Sequence, residues 1–217
     1  MPTTTSRRTT TTTTRSAGAT ADGAGTTRGR SPQPRLGQRA PEIQEFGTLR
    51  LLPIALSAEA RTDSCQILNQ ILADTTILYA MYKKHHWLVA GPTFYQLHLL
   101  FDKHAEEQLE LVDLLAERVQ SLGGIAVGDP RHAAELTTIE RPPDGAEEVP
   151  VMVDRLLDAH EQIIEKVRRG IDRTDATSDW GSNDLLMSDV LRRHELQVWF
   201  LSEHIVDVPL VETDGKS

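Results

Sequence analysis

The chain has 217 residues and a net charge of −9 at neutral pH. That length suits one ordinary domain with an extension, or two very small domains. A single cysteine excludes a disulfide framework and a cysteine-based zinc site. No apolar run reaches the roughly 18 residues that a membrane-spanning helix needs, and the N-terminus lacks the apolar stretch of a secretory signal. We therefore expect a soluble cytoplasmic protein, and the acidic total argues against a simple basic nucleic-acid binder.

The charge is unevenly distributed along the chain. Residues 1–40 contain seven arginines, no lysine and one acid, which gives them a net charge of +6, whereas the other 177 residues have −15. Almost no large apolar side chain is present before residue 45, so we predict that residues 1–45 form a disordered, Thr/Arg-rich tail. The tail is either a solvated extension without function or a basic arm that binds DNA non-specifically. In the second case the candidate contacts are Arg7, Arg8, Arg15, Arg28, Arg30, Arg35 and Arg39.

Four long helices are predicted after the tail. Ser57 is a candidate N-cap for the first helix, which should stop at Gly91-Pro92, and the second helix should run from residue 93 to residue 122. A third helix fits residues 151–171, and a fourth fits about residues 183–206. A short helix is expected near residues 131–136 in the long central connection, and strand signals are nearly absent. The prediction is an all-α four-helix bundle over residues 46–207, followed by a flexible end at residues 208–217.

The second helix contains a histidine and three acids on one stripe. At about 100° per residue, Asp102, Asp113 and Glu117 fall near 40°, 60° and 100° from His98. Imidazole and carboxylate ligands together suit iron, zinc or manganese. Asp102 and Asp113 are about 16 Å apart along the axis, so one metal ion cannot contact both within one chain. Two copies packed antiparallel about a two-fold axis would complete a site, which His86 from the first helix could join.

A plain alternative to this metal site remains. Charged pairs four residues apart are common on solvated helices, and the histidines could be unrelated to them. Spacing alone does not decide between the two interpretations.

Two segments resemble a known family. The stretch HHWLVAGPTFYQLHLLFDKHAEE, residues 85–107, closely resembles the signature of the Dps family (DNA-binding protein from starved cells), a branch of the ferritin-like superfamily. HELQVWFLSEH, residues 194–204, is similar to the closing helix of many members. The resemblance covers about residues 60–206 and leaves out the basic tail and the last ten residues.

The resemblance implies a function. Dps proteins form a hollow shell of twelve subunits, bind Fe(II) at sites on the two-fold interfaces, oxidise it preferentially with hydrogen peroxide, and store ferric mineral. Applied to this chain, it implies a homododecamer whose ferroxidase site is catalytic and metal-binding at the same residues, with iron as the metal and zinc possible in its place. The implied residues are His86, His98 and Asp102 from one subunit, with Asp113 and Glu117 from another.

Other residues receive supporting roles in this interpretation. Trp87 adjoins the site, and in the family this residue is thought to take up stray oxidising equivalents, although a packing role is an equal alternative. Glu195 and Trp199 could support the ligands from behind, and His160 or His194 could be an extra ligand, with His104 expected at the surface. Acids around the start of the fourth helix could line a pore that attracts Fe(II), the alternative being a solvated turn. These acids are Asp175, Asp179, Asp184 and Asp189.

Three other functional classes compete with an iron-storing ferroxidase that protects DNA. A ferritin with its diiron site inside one bundle would use Glu-x-x-His motifs, and no glutamate here has a histidine three residues later. A nucleoid-associated protein that binds DNA mainly through its tail is favoured by the arginines and opposed by the acidic core. A purely structural helical oligomer would have no metal chemistry.

Overall fold

The structure is a computed structural model that describes residues 32–207. Most of the predicted tail and the predicted flexible end at residues 208–217 lie outside the described residues. The chain divides into two units between Pro41 and Glu42. Residues 32–41 have no regular structure and are exposed. The helices and the candidate site described below belong to the second unit.

Helices form all of the regular structure between residues 42 and 207, which confirms the all-α prediction. Four long helical stretches build a bundle in which α1 packs on both α2 and α4, and α4 packs on α6. None of the helices in residues 32–207 has the length and apolarity needed to cross a membrane. The elements are α1 (Ala58–Leu88), α2 (Phe94–Ser121), α3 (Pro130–Leu136), α4 (Val149–Ala176), α5 (Trp180–Asp184), a π-helical segment (Leu185–Leu191) and α6 (Arg192–Ser202).

The helix ends follow local chemistry. Ser57 caps α1 as predicted, because its side-chain oxygen accepts a hydrogen bond from the amide of Ala60. Gly91 has a φ of 96°, a conformation that favours glycine, and this turn reverses the chain between α1 and α2. Gly123, with a φ of 88°, ends α2 in the same way.

The last two long helices differ from their predicted bounds. α4 starts two residues early, since Pro150 is tolerated within a first helical turn, and it continues to Ala176. Gly170 lies within this helix. A Cβ at this position would come within 2.8 Å of Ile67, so the glycine permits close packing of α4 on α1. The next helix starts at Trp180, because the Asp179 side chain accepts a hydrogen bond from the amide of Ser182. The π-helical segment has no signal in the hydrophobic pattern.

A buried carboxylate fixes the long connection between α2 and α4. Asp74 of α1 is fully buried and accepts hydrogen bonds from Thr137, the amide of Thr138 and Lys166. Lys166 belongs to α4, so one carboxylate joins α1, the end of α3 and α4. Every partner compensates for the cost of burying the charge.

A chain of polar aromatic side chains passes through the apolar core, one from each long helical stretch. The hydroxyl of Tyr82 lies 2.5 Å from Nε2 of His160 and 3.1 Å from Nδ1 of His104. Nδ1 of His160 lies 2.8 Å from Nδ1 of His194. All four side chains are at most 1% exposed. We call this group the core histidine–tyrosine network.

Burial keeps these imidazoles neutral. Desolvation lowers the pKa of His194 from 6.5 to about 3, with a smaller contribution from Arg193. Desolvation also lowers the pKa of His160 well below 6.5, and the neighbouring His194 and His104 act in the same direction.

These shifts predict acid sensitivity of the fold. Between pH 6.5 and about 3, His194 is neutral in the folded chain but protonated when unfolded. The unfolded state then binds more protons. Each such histidine therefore lowers the free energy of unfolding by about 1.4 kcal/mol for each unit by which the pH decreases. Denaturant titrations at fixed protein concentration and decreasing pH measure this slope. His194→Gln should reduce stability at neutral pH yet flatten the slope.

His204→Gln is the matched control for this measurement, because His204 is exposed near the end of α6. Its slope should equal that of the unaltered chain. Equal slopes for His194→Gln and the unaltered chain would contradict the assignment of a neutral, buried His194.

Candidate metal centre

The α1–α2 hairpin brings His86 and His98 together. The two imidazoles stack with ring centroids 3.8 Å apart and planes 19° from parallel. Nδ1 of His86 lies 2.8 Å from the carbonyl oxygen of His98, and Nδ1 of His98 lies 2.9 Å from the carbonyl oxygen of His86. The five-residue turn that contains Gly91 makes this reciprocal pairing possible, because it joins the end of α1 directly to the start of α2.

These two hydrogen bonds assign the tautomers. A carbonyl oxygen only accepts, so Nδ1 of each ring must be the donor. In the neutral imidazole, Nε2 then has the lone pair. Metal-binding histidines are typically oriented in this way, with the distal nitrogen donating to a backbone carbonyl. The donor set therefore fits a divalent metal ion.

Asp102 adds a carboxylate beside the two rings. Its Oδ1 lies 3.9 Å from Nε2 of His86, and its side chain is 38% exposed. Lys83 of α1 donates a hydrogen bond to the same oxygen, and this contact, together with the charge of Lys83, lowers the pKa of Asp102. The carboxylate is ionised and paired with a cation that an incoming metal ion would have to displace.

Asp113 and Glu117 lie on the same helix but far from this group. Both are exposed, and the 11-residue spacing from Asp102 to Asp113 corresponds to about 16 Å along α2. Within residues 32–207 the fold assembles no cluster of three or more histidine, cysteine or acidic side chains able to hold a metal ion. The predicted ligands therefore fall into two separated groups, His86/His98/Asp102 and Asp113/Glu117, which we call the half-sites.

The face of α2 that holds both half-sites is partly apolar. Tyr95, Leu99 and Leu109 are 70%, 49% and 51% exposed. They recur at the three- and four-residue steps that also place Asp102 and Asp113 on this face. Such a stripe is typical of a surface that another protein covers.

The structure separates the other predicted site residues from this pair of rings. Trp87 is 70% exposed beside His86. Glu195 accepts a hydrogen bond from Arg168, and Trp199 donates one to Glu203. Neither forms a hydrogen bond with the histidine pair in residues 32–207. Their supporting roles stay predictions.

The predicted extra ligands lie inside the bundle. His160 and His194 form hydrogen bonds within the core histidine–tyrosine network rather than facing a surface site. His104 is also buried, so the expectation that it is a surface residue was wrong. The reason is that α2 turns this position toward Tyr82, where the ring finds a polar partner.

The four predicted pore acids have different environments. Asp175, Asp184 and Asp189 are exposed. Asp179 is 2% exposed and accepts hydrogen bonds from Arg118 and Ser182. Burial alone would raise the pKa of Asp179, but the contacts with Ser182 and Arg118 hold it below its ordinary value. Its carboxylate joins α2 to the start of α5.

Of the seven predicted DNA-binding arginines, Arg35 and Arg39 are exposed in the irregular segment. Arg7, Arg8, Arg15, Arg28 and Arg30 lie outside the described residues.

Sequence reasoning missed Lys83 and Tyr82. Lys83 precedes His86 by three residues and thus shares its helix face, a spacing that could have identified it. Tyr82 had no comparable signal, because its histidine partners lie 22 and 78 residues away along the chain.

Comparisons with known proteins bear on the family and the fold. Residues 65–211 match the family model for the ferritin-like domain. An uncharacterised protein in the bpoA2 5′ region of Kitasatospora aureofaciens is 66% identical over 68% of this chain and 98% of its own length. A nutrient stress-induced DNA-binding protein of a Nostoc species is 32% identical over 70% of this chain and 83% of its own.

A solved structure extends the comparison. DpsC from Streptomyces coelicolor is 62% identical, with a TM-score of 0.78, over 79% of this chain and all of that one. This chain belongs to the Dps family of the ferritin-like superfamily.

Proposed function

We propose that the protein is a ferroxidase and iron store whose metal centre is shared between two copies of the chain. It binds Fe(II) as substrate, oxidises it, and retains the ferric product inside a closed shell, taken from the family to be a dodecamer. The observation that supports this most directly is the pairing of His86 with His98, which leaves both Nε2 atoms available beside the Asp102 carboxylate.

The second half-site explains why two copies are needed. His98 and Asp102 lie near the start of α2, and Asp113 and Glu117 lie toward its end. Antiparallel packing of two α2 helices about a two-fold axis would place each pair opposite its complement and would cover the exposed apolar stripe. The closed arrangement gives two identical centres at each interface.

The ligand types suit oxidation of iron. Neutral imidazoles retain affinity for Fe(II), while carboxylates favour the harder Fe(III) product. Lys83 keeps Asp102 ionised and poised, and its ammonium group neutralises that charge until a metal ion replaces it. Zn²⁺ suits the same nitrogen and oxygen ligands and would compete with Fe(II). Hydrogen peroxide as the preferred oxidant rests on the family resemblance.

Subunit mixing tests the shared centre. His98→Ala and Asp113→Ala remove ligands from different half-sites, so each variant alone should lose Fe(II) oxidation. When both are co-expressed, a mixed interface has one centre with both substitutions and one with neither. Activity should return to about a quarter of the unaltered level, because half of randomly formed interfaces are mixed and half of their centres are intact. Stopped-flow absorbance of the ferric product measures it.

Glu161→Ala is the matched control, because Glu161 is an exposed acid on α4 outside both half-sites. Co-expressed with His98→Ala, it should give about half of the unaltered activity, because every centre that takes its histidines from a Glu161→Ala copy is complete. If the pair His98→Ala and Asp113→Ala stays inactive on mixing, the ligands belong to one chain or to no common site.

A DNA-binding role is the second candidate. The relative from Nostoc is named as a DNA-binding protein, and residues 1–40 have a net charge of +6. Many copies of this arm on one shell would bind phosphates without sequence preference, and the protein would then be cytoplasmic and nucleoid-associated. An acidic core of −15 would repel the same DNA, so binding would depend on the arm.

Deleting residues 1–45 should abolish DNA binding at low salt while leaving iron oxidation intact. The logarithm of the binding constant of the full chain should fall linearly with the logarithm of salt, with a slope of about −0.9 per neutralised phosphate. Electrophoretic mobility shifts across a salt series measure both. A variant with all seven arginines replaced by glutamine keeps the length of the arm and should behave like the deletion. Equal DNA binding by the deletion variant and the full chain would contradict a DNA-binding role for residues 1–45.

A further inference from the structure

Burying the core histidine–tyrosine network costs folding free energy, and a functional role would explain why it is present. Placing four polar groups in an apolar core opposes folding unless each finds a partner. One buried atom does not, since Nε2 of His194 has no hydrogen-bond partner among residues 32–207. Apolar residues of similar size would fill this space at no such cost. Buried polar atoms of this kind warrant a chemical explanation.

Its geometry is that of a phenol with a proton acceptor. The Tyr82 hydroxyl lies 2.5 Å from Nε2 of His160, a shorter separation than the 3.1 Å to His104. A neutral His160 that accepts this proton at Nε2 has its own proton at Nδ1, which is 2.8 Å from Nδ1 of His194. His160 can thus accept a proton that leaves the phenol, and the hydrogen bond to His194 can stabilise the positive charge that results.

The network lies next to the proposed metal centre. Tyr82 precedes His86 by one turn on α1, about 6 Å along the axis. Its ring centroid is 6.1 Å from that of Phe101, the residue before Asp102. The phenol is therefore about one helical turn from His86 and packs against the residue beside Asp102, close to the place where iron would be oxidised.

We propose that Tyr82 is a buried one-electron relay for the metal centre and that His160 is its proton acceptor. The proposal rests on the ferroxidase function proposed above. It assigns a role to side chains that no metal ligand set uses.

The first half of the cycle oxidises Tyr82. One Fe(II) gives one electron to hydrogen peroxide and yields Fe(III), hydroxide and a hydroxyl radical. The hydroxyl radical takes one electron from Tyr82 and becomes hydroxide, while the phenol O–H bond breaks and its proton forms an N–H bond at Nε2 of His160. A neutral tyrosyl radical and a protonated His160 remain.

The relay is then reset by a second Fe(II). It gives one electron to the tyrosyl radical, the proton returns from His160, and Fe(III) is the product. The sum is two Fe(II) oxidised per hydrogen peroxide and two hydroxides formed, with no hydroxyl radical released.

The test uses the fact that the chain has three tyrosines, Tyr79, Tyr82 and Tyr95. The intact shell is mixed with Fe(II) and hydrogen peroxide, frozen within milliseconds, and examined by electron paramagnetic resonance. The double variant Tyr79→Phe/Tyr95→Phe leaves Tyr82 as the sole tyrosine without touching the network, and it should keep the tyrosyl signal. Tyr82→Phe should lose the signal and should increase the yield of spin-trapped hydroxyl radical.

A second arm works without iron. A photogenerated ruthenium(III) oxidant is applied to the metal-free shell, and the same variants are compared. Tyr82 should again hold the radical, and His160→Gln should shorten its lifetime because the proton acceptor is lost. A radical that disappears in Tyr79→Phe/Tyr95→Phe, or persists in Tyr82→Phe, overturns the proposal and leaves the network a structural one.

The two arms separate this inference from the proposed function. Ferric absorbance is followed in the frozen samples, so its absence in the unaltered protein contradicts the ferroxidase function. In that case the flash arm still decides whether Tyr82 is the residue that is oxidised.

Discussion

The reciprocal hydrogen bonds between His86 and His98 are the interaction on which the site depends. They exist because the turn around Gly91 is short enough to place the end of α1 against the start of α2. By occupying both Nδ1 atoms with carbonyl oxygens, they fix each ring and leave Nε2 for a ligand. A longer turn or a freely rotating ring would offer the same residues without the orientation that binding requires. The two rings are thus held in place within one chain, and three of the five proposed ligands lie together, whereas Asp113 and Glu117 lie further along α2.

Much of the fold could be predicted because its signals are local. Ser57, Gly91 and Gly123 mark helix ends through capping and positive φ, and the structure places the ends of α1 and α2 within a few residues of the predicted bounds. The start of α5 was predicted less well, since it depends on Asp179, whose carboxylate is held by Arg118 61 residues earlier in the chain. The π-helical segment was not predicted, because hydrophobic spacing does not distinguish it from an α-helix.

The candidate site also has features that could be predicted from the sequence and features that could not. The spacing of His98, Asp102 and Asp113 along α2 was predictable, and so was the conclusion that one metal ion cannot contact all three within one chain. The pairing of Lys83 with Asp102 and the burial of His104 could not, because each is decided by which face of a helix packs against its neighbour. The core network is the extreme case, with one member from each long helical stretch. Long-range packing therefore sets the chemistry in the core, while local spacing sets the chemistry on the α2 surface.

The central claim is that one metal centre is built from two copies of the chain. Anomalous diffraction from crystals of the assembled protein loaded with Fe(II) or Zn²⁺ tests it most directly. An anomalous-difference peak is expected at the interface of two antiparallel α2 helices. That peak should be bonded to Nε2 of His86 or His98 from one copy and to the carboxylate of Asp113 or Glu117 from the other. A metal ion held entirely by one copy, or bound away from these five residues, would contradict it.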